Sequence, residues 1–143
     1  MNQLHTRDYG RLGRIGLVTP QANPTAEPEL QMLLPAGVTL HTSRATSAAE
    51  SRQRFIDYFE QLDRILATFD TLPLNAVGFA CTASSYLVDP VHEQESLKKL
   101  ENEFGYPVVT AAAALKRALD HLGAESIALA CPYPDWLFQR AVS

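Results

Sequence analysis

The sequence predicts an α/β fold built on an open parallel sheet with helices on both faces, and three observations predict it. Short apolar runs rich in β-branched or small residues recur along the 143 residues, each bounded by Gly, Pro or polar residues. Stretches with apolar residues three and four apart lie between them. The two patterns alternate, strand then helix, and the alternation reaches a fifth strand.

The first run is "RIGLVTP", Arg14 to Pro20, ended by its proline. In "QANPTAEPELQMLLP" a helix follows, either capped by Asn23 with Pro24 in its first position or starting at Pro28. "VTLHTS" from Val38 is the second strand, and Phe55, Phe59, Leu62, Leu66 and Phe69 mark one face of the next helix. "AVGFACT" from Ala76 is the third strand. Leu97, Leu100 and Phe104 give a helix stopped by Gly105. "PVVT" from Pro107 is the fourth strand, and Ala111 to Leu122 is a helix carrying Leu115, Leu119 and Leu122 and ending at Gly123. "SIALACP" from Ser126 reads as the fifth strand, and in "YPDWLFQRAVS" a further helix should begin.

Composition narrows the function classes. Apolar residues make up 46% and charged residues 20%, ordinary values for a soluble globular chain, and the length is enough to bury a core. A net charge of -4 gives no electrostatic footprint for nucleic acid or an anionic membrane. No apolar run is long enough to span a bilayer, and the polar start "MNQLHTRDYGRLG" argues against secretion. Two cysteines on separate segments, without CxxC spacing, fit free thiols in a reducing cytoplasm. The four histidines show no ligand spacing, and neither GxGxxG nor a P-loop signature occurs.

In open parallel sheets, ligands bind beyond the carboxyl ends of the strands. Pro20 to Asn23, His41 to Arg44, Cys81 to Ser85, Thr110, and Cys131 to Tyr133 fall there. Cys81 just precedes a helix, where peptide dipoles lower a thiol pKa, and the N–H groups of Thr82 and Ala83 can cradle a carboxylate. A thiolate beside a carboxylate pocket suits proton transfer or addition at the neighbouring carbon. The alternative is a buried thiol packed as a small hydrophobe. Asn23 is read equally as a plain cap, Tyr133 as a packed turn residue, and Cys131 as core.

Taken together, "GLVTPQANPTAEPEL", "GFACTASSYL" and "IALACPYPDWL" resemble the aspartate/glutamate racemase superfamily, nearest its maleate cis-trans isomerase and arylmalonate decarboxylase branch. The resemblance runs from about Arg14 to Ser143, with the motifs in the expected order. It implies a flavodoxin-like first half of a two-domain, pseudo-symmetric fold, a small carboxylate or dicarboxylate in the cleft, and no metal or organic cofactor. It places Cys81 at the first-domain catalytic cysteine, where the decarboxylases have glycine. Asn23, Thr82 and Tyr133 fall on positions that contact the substrate. The second catalytic cysteine belongs roughly a hundred residues further on, in a second domain of similar size, and Cys131 is not at its position. The expected organisation is a polar arm over 1–13, a first α/β domain over 14–123 and the start of a second, truncated, over 124–143. Two functions follow as expectations. One is a cofactor-independent isomerase, racemase or decarboxylase with part of its active site in this chain; the other is a non-catalytic carboxylate-binding or self-associating protein. A homo-oligomer is expected, since a half-fold leaves apolar surface uncovered.

Overall fold

Gly13–Pro20 forms strand β1, Val38–Ala45 β2, Ala76–Phe79 β3 and Val108–Thr110 β4 in the computed structural model, which describes residues 9–142. The helices are α1 Ala26–Leu33, α2 Ser51–Glu60, α3 Leu62–Ala67, α4 Thr82–Leu87, α5 Pro90–Phe104, α6 Ala111–Leu122 and α7 Asp135–Ala141. Residues 1–8 of the expected N-terminal arm lie outside the described residues.

The strands form one all-parallel sheet in the order β2-β1-β3-β4. From β1 the chain moves one way to β2, then back past β1 to β3 and on to β4. Right-handed crossovers therefore put α1 on one face and α2 to α5 on the other. The central strand shows that both faces are covered, because Leu17, Val18 and Thr19 are all buried. Val18 belongs with Tyr58, Phe59, Leu62, Leu66, Val77, Phe79, Leu100 and Val108 in the core. Leu17 alternates to the α1 side.

Gly16 shares the face of Val18, and a Cβ there would stand 2.7 Å from Val77 Cγ2 and 2.9 Å from Leu74 Cδ1. The absent side chain lets the layer carrying Phe69 and Leu74 settle directly on the sheet. Two helix ends follow the sequence closely. Asp89 caps α5, accepting from Val91 N and His92 N with Pro90 first in the helix, and Gly105 closes it in the left-handed region at φ 78°.

Three sequence expectations are corrected. The long helix over Phe55–Phe69 breaks at Gln61 into α2 and α3, leaving Phe69 in a turn. Helix α1 starts at Ala26, at neither proline, with Thr25 as its N-cap. Residues 126–132 form no strand: Ile127 and Leu129 are exposed, and the segment pairs with none of the four strands. A strand is held by its ladder, and the chain leaves α6 through left-handed Gly123 toward Pro132 and Pro134, which have no N–H to donate. Cys131 is accordingly half-buried rather than core.

Candidate active site

Parallel pairing of β1 and β3 decides where the candidate residues meet. Val18 is opposite Phe79, and Ala80 N donates to Val18 O at 2.8 Å, the last rung before Cys81. The loop after β1 and the thiol after β3 therefore leave neighbouring strands at one edge. This is also where the strand order reverses, the place where open α/β sheets bind ligands.

Cys81 is the extended N-cap residue of α4 and is 5% exposed. Its Sγ accepts from Ser84 Oγ at 3.0 Å, while Ser85 N and Ser85 Oγ both donate to its carbonyl at 3.2 Å. Burial pushes the thiol above its ordinary value, and the Ser84 hydroxyl and the N–H groups of Ser84 and Ala83 pull it down less strongly. The expectation of a lowered pKa is thus corrected. Dehydration outweighs the dipoles of a six-residue helix. Alkylation of Cys81 should keep accelerating above the pH at which an ordinary thiol levels off. Ser84→Ala, which removes a donor to the thiolate, should slow it about tenfold at pH 8. Stopped labelling at a series of pH values reads both, and equal rates in the two proteins would take Ser84 out of the account.

Thr82 and Tyr133, read separately in the sequence, are in contact: Thr82 Oγ1 and Tyr133 Oη lie 2.5 Å apart. The Tyr133 ring also meets Tyr86 edge-on, with centroids at 6.3 Å. The segment 124–134 therefore lacks the expected strand but still delivers its tyrosine to α4. Ala83, buried, directs its N–H toward the thiol side of the turn.

Asn23 does serve as a cap, from two residues before the N-cap position. Its Oδ1 accepts from Thr25 N at 2.9 Å, Ala26 N at 2.9 Å and Thr25 Oγ1 at 3.1 Å. With the oxygen so engaged, the amide is oriented and its Nδ2 remains a donor, the group a carboxylate requires. The two readings of Asn23 are compatible.

Two neighbours were missed. Tyr58, in the last turn of α2, is buried beside Cys81 and the Gln21 backbone; burial raises its pKa, and the nearby thiol pushes the same way. Helical periodicity marked Phe55 and Phe59 but gave no reason to single out Tyr58. Thr19 buries its hydroxyl beneath the loop with no partner among the described residues. No three His, Cys, Asp or Glu side chains gather as a metal site among the described residues.

The fold and this end of the sheet define a parallel α/β protein with a thiol, a helix-capping asparagine and a hydroxyl pair at the reversal of strand order. No family model matches the chain. A maleate isomerase from Pseudomonas putida KT2440 is 27% identical over 145 residues, covering 93% of this chain and 58% of that protein. A solved mutant of the Nocardia farcinica maleate cis-trans isomerase, carrying a covalently bound succinylcysteine intermediate, superposes with a TM-score of 0.78. It is 23% identical, over 91% of this chain and 57% of that one. A liganded double mutant of arylmalonate decarboxylase superposes with a TM-score of 0.72 at 19% identity, over 90% and 55%. The chain thus spans a little over half the length of the relatives it matches. Its sequence is similar to those of maleate isomerases, and it shares its fold with solved maleate isomerase and arylmalonate decarboxylase structures.

Proposed function

We propose that this chain supplies the first-domain part of the active site of a cofactor-independent isomerase acting on a small dicarboxylate of the maleate type, with Cys81 as nucleophile. What supports the reading is that the paired strands β1 and β3 lead into the loop holding the capping Asn23 amide and into Cys81, beside which Thr82 and Tyr133 pair their hydroxyls. The amide and hydroxyls suit the carboxylates, and the Ala83 N–H, directed at the thiol, suits negative charge there. The covalent succinylcysteine in the Nocardia farcinica enzyme supports the same chemistry here.

In the reaction, Cys81 loses its proton to solvent and Sγ of the thiolate bonds to one alkene carbon. The π pair moves to the adjacent carbon, which takes up a proton. The former double bond then rotates. Loss of that proton re-forms the alkene and breaks the C–S bond, returning the thiolate, so no oxidant or reductant is consumed. The proton donor for the opposite face is expected from the second cysteine of the family pattern, and we place it in a second domain of which 124–143 is the start. Racemisation at the same thiol would use the same carboxylate contacts.

Maleate should protect Cys81 from iodoacetamide in a saturable manner, followed by mass spectrometry of the peptide containing Cys81. Labelling unaffected by maleate, succinate or malonate derivatives would remove the carboxylate site. A second reading, carboxylate binding without turnover, is favoured by the burial of Cys81 and its raised thiol pKa. Protection without any fumarate formed, in a preparation whose whole chain is verified by mass, would select it.

A further inference from the structure

Arg44 is the penultimate residue of β2, at the same carboxyl end of the sheet and opposite Thr19 in the ladder. A cation beside a carboxylate site is ordinarily read as a substrate ligand. Here the guanidinium is already engaged. Nη1 donates to the carbonyls of Pro20 at 3.4 Å, Gln21 at 3.4 Å and Asn23 at 3.1 Å, and Nη2 pairs with Glu27 in the first turn of α1. A second tie runs alongside, from Ser47 N to Gln21 Oε1 at 2.8 Å. All of these contacts land on the β1–α1 loop or the helix it enters.

An exposed ion pair contributes little to stability, and the Arg44 and Glu27 side chains are 41% and 31% exposed. Three carbonyls gathered on one nitrogen instead define a loop conformation, and that conformation aims the Asn23 amide. We infer that Arg44 is a positioning residue, holding the loop so that Asn23 presents its amide to a substrate carboxylate, with Glu27 holding Arg44 in turn. This rests on the carboxylate-binding reading above and adds the group that fixes its geometry.

The test compares the maleate concentration giving half-protection of Cys81 from iodoacetamide in the wild type, Arg44→Gln, Glu27→Gln and the double variant. Arg44→Gln should raise it about tenfold, the scale of loss when a binding group is displaced by a fraction of an ångström to an ångström. The labelling rate without maleate should stay within about twofold, since neither residue touches the thiol. Glu27→Gln should also weaken protection, by a smaller factor, and should add nothing to Arg44→Gln. A direct ligand gives the opposite sign, because removing Glu27 would free the guanidinium and tighten maleate binding. Unchanged half-protection in Arg44→Gln, or tighter binding in Glu27→Gln, overturns the proposal. As a separate readout, hydrogen exchange at the Thr25 and Ala26 amides, which donate to Asn23 Oδ1, should accelerate in Arg44→Gln. If maleate leaves the wild type unprotected, the function reading fails first and takes this proposal with it; that result appears before any variant is made.

Discussion

Replacing Cys81 with serine is expected to abolish turnover, lowering it by about a thousandfold or more, while the fold survives. The hydroxyl keeps the shape of the site and can still accept from Ser84, whose Oγ lies 3.0 Å from the native sulfur. It cannot replace the nucleophile, because no residue identified beside Cys81 is a histidine or carboxylate that would take a serine proton. Maleate should still bind, since Asn23 and Thr82 are untouched. The assay is fumarate formation from maleate by a mass-verified full-length protein, with thermal unfolding as the control for folding. Turnover within tenfold of wild type in Cys81→Ser would sink the covalent mechanism.

The largest stability loss should come from Phe79→Ala, about 3–5 kcal/mol. Phe79 is fully buried on β3, two residues before the thiol, and its ring lies 6.2 Å from that of Phe59 at a tilt of 56°. It shares its face with Val18, Val77 and Val108, so the cavity would open at the centre of the core, where neighbours on three strands cannot all move in. Against a total of about 5–15 kcal/mol for an ordinary domain, this takes much of the margin. Urea unfolding followed by tyrosine and tryptophan fluorescence measures it, and a loss below about 1 kcal/mol would contradict the packing described.

The sheet was legible because its strands are buried on both faces and read as unbroken apolar runs between Gly and Pro. "GLVTP" and "AVGFA" say what they are without any neighbour. The segment from Ser126 has the same local appearance and forms no strand, since a strand also requires a partner, and composition does not record one. The break at Gln61 was hidden for a similar reason: the apolar face runs through it, whereas the backbone leaves the helical region there, at φ −97° and ψ 10°.

The candidate site was legible by position and less so by chemistry. Placing Cys81 and Asn23 at strand ends needed only the fold class and the motifs, whereas Tyr133 reaches Thr82 without the strand expected before it. The sign of the Cys81 shift depended on burial against donors, a balance only coordinates supply. Tyr58 and the Arg44 fork escaped because their roles come from approach across elements, with nothing in their own neighbourhoods to announce it.

The strand order also sets when this site can exist. Asn75 Oδ1 accepts from Arg14 N across 61 positions of chain, at the foot of the ladder that brings β1 against β3. Every pairing that joins the Asn23 loop to the Cys81 turn closes a loop of that order, an entropic cost met before the non-local contacts can offset it. Helices α1, α2 and α3 can begin to form earlier, but no intermediate lacking the β1–β3 pair holds the Asn23 loop beside the Cys81 turn. During synthesis the same logic delays that juxtaposition until the chain past Cys81 has left the ribosome. Burial of the thiol therefore reports on completed topology, and its recovery on refolding should follow the slowest pairing in the sheet.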